Sequence, residues 1–199
     1  AASLGLAHVV ITSVNRDDLP DGGAAHWRAT VDAVRAELPG AVIEVLTPDF
    51  EGNLEAVRRV ASGPIDVFNH NIETVPSLYR RVRPRARYEQ SLTVLKTVAD
   101  EFPHLAVKSG LMVGLGETRD EVFALLADLR GHGVDIVTIG QYLRPSLKHV
   151  PVVSYLEEPA YEVYRAEGRR LGFQHTFAGP FVRSSYNAAE ALAEARRAG

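Results

Sequence analysis

Short β-branched runs alternate with stretches of helical periodicity along almost the whole chain. His8 to Val14, H-V-V-I-T-S-V, is apolar on both alternations, which predicts a strand covered on both faces. Within Ala24 to Leu38, Val31, Val34 and Leu38 recur at helical spacing, and Pro39-Gly40 stops that helix. A strand is expected over Ala41 to Leu46, a helix from about Asn53 to Ser62, and a third strand over Ile65 to Phe68, running into N-H-N-I-E-T. Val75 to Arg87 reads as a basic loop or short helix, and Tyr88 to Phe102 as a helix. The stretch K-S-G-L-M-V-G-L-G-E-T, Lys108 to Thr118, predicts a strand entering a glycine-rich turn. Thr118 and Glu121 stand at capping-box spacing ahead of a helix over Arg119 to Arg130, whose Val122, Leu125, Leu126 and Leu129 share one stripe. Asp135 to Ile139, Pro159 to Leu171 and Phe173 to Ala178 predict strand, helix and strand, and an Ala/Glu/Arg-rich tail is expected to end as a helix.

This alternation, with connections too short for stacked hairpins, predicts an α/β fold of parallel strands joined by right-handed crossovers. A TIM-type βα barrel is favoured over a doubly wound sheet because polar residues follow every strand: Arg16, Asp17 and Asp18, then Asp49, Asn71 and Glu73, then Glu117, then Gln141 and Arg144. In a barrel those ends converge on one mouth. Eight units need about 250 residues, so the expectation is a partial, open barrel, truncated at its N-terminal end. It is read as a single domain over 1–199, with the barrel over 1–178 and an extension over 179–199 carrying R-S-S-Y.

Composition narrows the function classes. With 199 residues, 46% of them hydrophobic and 24% charged, the chain can bury one ordinary core. A formal charge of −3 gives no electrostatic case for nucleic acid. No apolar run approaches the roughly 20 residues that span a bilayer, so a soluble protein with no membrane partner is expected. Cysteine is absent, which removes disulfides and thiolate metal sites built from this sequence alone. The opening A-A-S-L-G-L-A-H lacks a secretory signal and reads as a helix end leading into a strand, so an N-terminal portion is expected to be missing.

Several residues carry candidate chemistry. Asp17, Asp18 and Asp49 could hold a divalent cation through carboxylate oxygens, or simply cap helices. His70 could be a general base, or a hydrogen-bonded packing residue. Asn71 and Glu73, two apart in an extended stretch, would face one side and suit the paired hydroxyls of a ribose. Lys108 sits in an otherwise apolar strand and is costly to bury unless paired or functional. It could form a Schiff base as in barrel aldolases, hydrogen-bond a ligand, or pair with Glu73 across the mouth. The N–H groups of the Gly114–Gly116 turn could receive an anion. Arg80, Arg81, Arg83, Arg85 and Arg87 are a solvated face or a binding patch. Arg183, Ser184, Ser185 and Tyr186 would by themselves be a turn or a helix cap.

Taken together and in order, V-I-T-S-V-N-R-D-D-L, E-V-L-T-P-D-F, F-N-H-N-I-E-T-V, K-S-G-L-M-V-G-L-G-E-T, G-Q-Y-L-R-P-S and G-P-F-V-R-S-S-Y resemble the lipoyl synthase family. N-H-N-x-[ED]-T and V-G-L-G-E-T also occur in biotin synthase, whereas K-S-G-L-M, G-Q-Y-L-x-P-S and R-S-S-Y point to the lipoyl enzyme. The resemblance implies a cytoplasmic radical S-adenosylmethionine sulfurtransferase that inserts two sulfur atoms into an octanoyl chain. That chain rides on a lysine of a lipoyl-domain carrier protein. One 4Fe-4S cluster would reduce S-adenosylmethionine, a second would be the sulfur source, and the electrons would come from a donor such as flavodoxin or ferredoxin.

The resemblance also implies roles for particular residues. Asn71 and Glu73 would hold the ribose of S-adenosylmethionine, and Lys108 and Ser109 would line the mouth beside it. Gly114, Leu115 and Gly116 would let the backbone approach the adenosyl group. Gln141, Tyr142 and Leu143 would contact adenine through the backbone, and Thr12 and Ser13 would lie near the methionine end. Ser184, with Ser185 as the fallback, would ligate the auxiliary cluster. The family's two cysteine triplets have no counterpart here. The expectation is therefore a C-terminal fragment that is inactive alone and, with the edge of its first strand exposed, poorly soluble. A fragment that only binds S-adenosylmethionine or the carrier, and a Schiff-base aldolase using Lys108, are the alternatives.

Overall fold

The computed structural model describes residues 2–185. The expected tail helix and Tyr186 lie outside them. A 3-10 turn at Ala2–Leu4 opens the chain. Six strands follow: β1 His8–Thr12, β2 Val42–Leu46, β3 Val67–Asn69, β4 Ala106–Val113, β5 Ile136–Gln141 and β6 His175–Gly179. The helices are α1 Ala24–Glu37, α2 Leu54–Ala61, α3 Tyr79–Val82, α4 Tyr88–Glu101, α5 Arg119–Gly131 and α6 Glu158–Leu171. The strands make one sheet in the order β1-β2-β3-β4-β5-β6, every pair parallel. Order that follows the sequence without reversal is the barrel pattern, whereas a doubly wound sheet has a switch point. β1 and β6 do not pair, so the barrel is open, as the chain length predicts.

Local chemistry sets the element boundaries. Thr118 accepts the Glu121 N–H at 3.2 Å while the Glu121 carboxylate accepts the Thr118 N–H at 2.8 Å, the reciprocal capping box that opens α5. Gly172, at φ 82°, closes α6 in the left-handed conformation. The basic segment resolves into a 3-10 turn at Pro76–Leu78 and the single-turn α3. β1 departs from expectation: it stops at Thr12, and because it lies at the sheet edge His8 to Ile11 are half-buried and Thr12 is exposed.

Helices and sheet face each other across one apolar layer. Ile43 and Val45 of β2, Val107, Leu111 and Val113 of β4, and Val137 and Ile139 of β5 pack with Val57 and Val60 of α2, Leu92 and Leu95 of α4, and the Val122, Leu125, Leu126 and Leu129 stripe of α5. Each such aliphatic side chain, fully withdrawn from water, contributes about 1.5–3 kcal/mol before the entropy of ordering it.

Alternation sends the other set of side chains to the inner face, and this set is partly polar. Lys108 reaches the Glu44 carboxylate at 3.0 and 3.1 Å, and Asn69 donates to the same carboxylate at 2.8 Å. All three are fully buried. His8 Nε2 stands 3.8 Å from Glu44, where burial lowers its pKa against the pull of the carboxylate. Burial also lowers the Lys108 pKa, and Glu44 opposes that shift.

Candidate functional site

The strand ends carry a pocket of about 200 Å³ between the loop after β3 and the segment after β6. Asn71 and Glu73 form one wall, Gly110 and Met112 of β4 the floor, Thr138 and Gly140 of β5 the next wall, and Val182 to Ser184 the far side. After β3 ends at Asn69 the chain leaves the ladder and rejoins it at Glu73, which pairs with Leu111. The Glu73 N–H donates to the Gly110 carbonyl and the Met112 N–H donates to the Glu73 carbonyl, both at 2.9 Å. These bonds hold Glu73 at φ 69°, a conformation that costs a non-glycine residue of order 1–3 kcal/mol. Asn71 and Glu73 thus meet at the pocket as expected, but through a left-handed turn rather than an extended stretch.

α3 fixes that turn from outside. Tyr79 and Arg83 stand four residues apart. The Tyr79 hydroxyl donates to the Ile72 carbonyl at 2.8 Å and Arg83 Nη1 donates to the Asn71 carbonyl at 3.2 Å. The guanidinium also lies 5.7 Å from the Tyr79 ring centre. Two consecutive carbonyls ahead of Glu73 are therefore clamped. Burial raises the Glu73 pKa, while the Arg83 charge and a hydrogen bond from the Asn71 side chain pull it back down. Asn71 Oδ1 is buried without a partner, a costly state for a polar atom unless a ligand completes it.

Two glycines shape the cavity. A Cβ on Gly110 would stand 2.6 Å from Thr138 Oγ1 and 2.8 Å from Asn71 Oδ1. On Gly140 it would stand 2.2 Å from the Val182 carbonyl oxygen. Neither glycine was assigned a role from the sequence, although glycine inside an apolar strand signals close approach. In the sequence Arg83 is one of five closely spaced arginines, with nothing to single it out. Its partner, the Asn71 carbonyl, has no sequence signature.

The remaining sequence-derived candidates fall elsewhere. Lys108 is sealed on Glu44, so it neither lines the mouth nor pairs with Glu73. Ser109 points the opposite way along the strand, donating to the His70 carbonyl at 2.9 Å and accepting the Ile72 N–H at 3.2 Å. Gly114 and Gly116 have φ of 95° and 112°, but Gly114 packs on Gln141 and the Ser154 carbonyl, and Leu115 is fully buried. The N–H groups of Gly114 and Leu115 donate to the Glu117 carboxylate at 2.6 and 2.9 Å, so the turn carries its own anion. Gln141 borders the pocket with its amide already committed: it donates to the Tyr142 and Ser154 carbonyls and accepts from the Leu156 N–H and the Tyr161 hydroxyl. Leu143 is part of the pocket rim, whereas Tyr142 is buried and its hydroxyl donates to the Val150 carbonyl at 2.8 Å. Thr12 and Ser13 border a separate cavity of about 270 Å³ with Trp27 and His26. Ser184 lines the main pocket, and Ser185 is exposed beside it.

The competing sites resolve into structural roles. His70 is buried, bonded through Nδ1 to the Thr47 carbonyl at 2.9 Å and through Nε2 to Ser91 at 3.0 Å, and burial pushes its pKa down to about 4. Asp18 pairs with Arg16, and Asp49 accepts from Gln90 and from the Glu51 N–H. Among the described residues no group of three or more His, Cys, Asp or Glu could hold a metal ion.

Known proteins are similar to this chain in sequence and in fold. Residues 1–139 match the family model of the Radical SAM superfamily. The lipoyl synthase of Rubrobacter xylanophilus is 53% identical over 194 residues, which span 98% of this chain and 60% of that protein. The lipoyl synthase of Caldanaerobacter subterraneus subsp. tengcongensis is 54% identical over 196 residues, 98% of this chain and 69% of that protein. The chain thus spans about two thirds of the length of these relatives. The crystal structure of a methylornithine synthase superposes with a TM-score of 0.66 at 15% identity, covering 94% of this chain and 63% of that one, which is a likeness of fold. Family model, identity and coverage agree: the chain belongs to the lipoyl synthase family of the Radical SAM superfamily.

Proposed function

We propose that this chain supplies the S-adenosylmethionine-binding half-barrel of a cytoplasmic lipoyl synthase. The whole enzyme inserts two sulfur atoms into the octanoyl chain of a lipoyl-domain carrier protein, with electrons from a donor such as flavodoxin or ferredoxin. The observation that most supports a ribose at the pocket is the pair on its first wall. Asn71 Oδ1 is buried and unpartnered, and the Glu73 carboxylate is held beside it on a clamped turn. Adjacent ribose hydroxyls donate two hydrogen bonds, and these are two acceptors waiting for donors. Gly110 and Gly140 keep open the space that a methyl group would fill. At about 200 Å³ the pocket is smaller than a usual ligand cavity, which suits the sugar rather than the whole molecule.

When bound and reduced, S-adenosylmethionine supplies the carbon radical that abstracts hydrogen. The role of these residues is positional: Glu73 and Asn71 fix the sugar, the Arg83 charge opposes the rise in the Glu73 pKa that burial causes, and Leu143 and Met112 limit water at the rim. The iron–sulfur clusters do not fit the residues present, because such clusters need thiolates and the sequence contains no cysteine. Ser184 by itself offers one oxygen. For the same reason the 199 residues alone are expected to bind without turning over.

Calorimetric titration with S-adenosylmethionine tests the reading. Wild type should bind, Glu73→Ala should lose at least tenfold in affinity, and adenosine should compete better than 2′,3′-dideoxyadenosine. Tight binding that survives Glu73→Ala would remove the ribose assignment.

A further inference from the structure

Arginines outside the pocket divide into two sets. Arg80 and Arg81 on α3, and Arg85 and Arg87 in the loop that follows, are exposed and make no ion pair or side-chain hydrogen bond among the described residues. Every other arginine in the described residues holds a carboxylate or a backbone carbonyl; Arg35 on Asp66, Arg58 on Glu101 and Arg165 on Glu158 are examples. Internal partners were within reach of sequence, since Asp17, Asp49 and Glu51 line the same cleft as Arg83, Arg85 and Arg87. Four free guanidinium groups in eight residues repel one another, in a chain whose net charge is −3. The positive field is therefore local and available to something outside the chain.

The cleft has a defined place. It measures about 890 Å³ and opens between the loops after β1 and β2, represented by Asn15 and Pro48, and the loop after α3. This is the rim that carries the pocket, at the C-terminal ends of the strands. Arg83 lines the cleft, and its guanidinium bonds the carbonyl of Asn71, whose side chain lines the pocket. A body seated against the arginines would sit one residue away from the pocket wall.

From this arrangement we infer that the Arg80–Arg87 face docks the carrier protein, through an acidic surface on that partner. The inference rests on the proposed function for the identity of the occupant. Carboxylates on a protein face pair bidentately with exposed guanidinium groups, and such pairs steer encounter more than they add affinity. Nucleic acid is disfavoured: the cleft lining has no aromatic side chain to stack a base, and its opposite wall carries Asp17, Asp49 and Glu51, which repel a phosphate backbone. A folded domain can set carboxylates against the arginines and basic or neutral side chains against the acidic wall, which a uniformly charged phosphate backbone cannot.

The test uses the full chain with two probes: an octanoylated lipoyl domain, and a short uncharged peptide bearing octanoyl-lysine. Binding is read by fluorescence anisotropy at low and moderate salt. Arg80→Glu/Arg81→Glu and Arg85→Glu/Arg87→Glu should each weaken the domain at least tenfold and flatten its salt dependence. They should leave the peptide affinity unchanged. Arg169→Glu/Arg170→Glu on α6 should do neither, and glutamine in place of glutamate at the four positions should give intermediate losses in a chain of unaltered circular dichroism. Equal binding of the domain by wild type and both reversed variants overturns the docking face, as does equal weakening by the α6 pair. A single-stranded RNA oligomer that binds through the same arginines, where the domain does not bind, would overturn it in favour of nucleic acid. If the domain binds in an arginine-dependent way but the peptide does not bind, the docking face stands and the octanoyl substrate falls. If the peptide binds and the domain ignores the arginines, the reverse holds.

Discussion

Removing the ammonium of Lys108 should be among the most damaging single changes available in this chain. Glu44 and Lys108 are both fully buried, joined at 3.0 and 3.1 Å, and among the described residues Asn69 is the other hydrogen-bond donor to that carboxylate. Lys108→Met keeps the volume but leaves a buried carboxylate with one amide donor and, in place of an ammonium at 3.0 Å, only the His8 imidazole at 3.8 Å. Breaking a buried pair from one side costs about 3–5 kcal/mol, which is a third or more of the stability of a marginal domain. Glu44→Gln in the same background removes the stranded charge and retains an oxygen for Asn69. The double variant should therefore recover most of the loss, to within about 1–2 kcal/mol of wild type. Urea unfolding at neutral pH, followed by circular dichroism, gives the free energies, with a constant slope certifying that only stability has changed. A Lys108→Met cost below about 1 kcal/mol would refute the reasoning. So would a double variant as unstable as the two singles summed, since coupled neighbours are not additive. The same burial means that borohydride with an aldehyde should add no mass to Lys108 in the folded chain.

Three further outcomes follow from the geometry. Gly110→Ala places a methyl group 2.6 Å from Thr138 Oγ1 and 2.8 Å from Asn71 Oδ1, so calorimetry should show at least a tenfold loss of S-adenosylmethionine affinity. Gly114→Ala should instead act on stability, by about 2–4 kcal/mol in urea, because it combines φ 95° with a Cβ 2.4 Å from the Ser154 carbonyl oxygen. For His70, burial sets the folded pKa at about 4, below the unfolded value of about 6.5, so the unfolded chain takes up the proton first as pH falls. The stability His70 contributes is fully present above about pH 6.5 and is lost on the way down to pH 4, by about 3 kcal/mol, and His70→Gln should flatten that slope.

Much of the fold is legible in the sequence because the relevant forces are local. The period-two and period-3.6 patterns locate all six strands and the long helices, and T-R-D-E announces its capping box at α5. The two walls of the pocket are only half legible. Asn71 and Glu73 can be paired from their spacing, but the left-handed turn that presents them depends on Gly110 and Met112 of β4, on Tyr79 of α3 and on Arg83 just beyond it. Lys108 was conspicuous by its rarity, yet its partner lies 64 residues away on β2, and nothing in the local pattern of either strand pairs them. The glycine turn misled for a related reason. Its N–H groups are unpaired by the rules of helix ends, but the side chain of Glu117 folds back to fill them. Thr12 ends the edge strand and Ser13 follows it, where alternation says which face a residue occupies and not which cavity it borders.

That self-filled turn sets a selectivity of its own. The Glu117 carboxylate is tethered three residues from Gly114 and so is present at the turn at an effective concentration of roughly millimolar or more. A free phosphate at micromolar concentration cannot displace a competitor that never diffuses away. At this turn the position an anion would take is occupied by the chain itself, so added phosphate is expected to find no vacancy there.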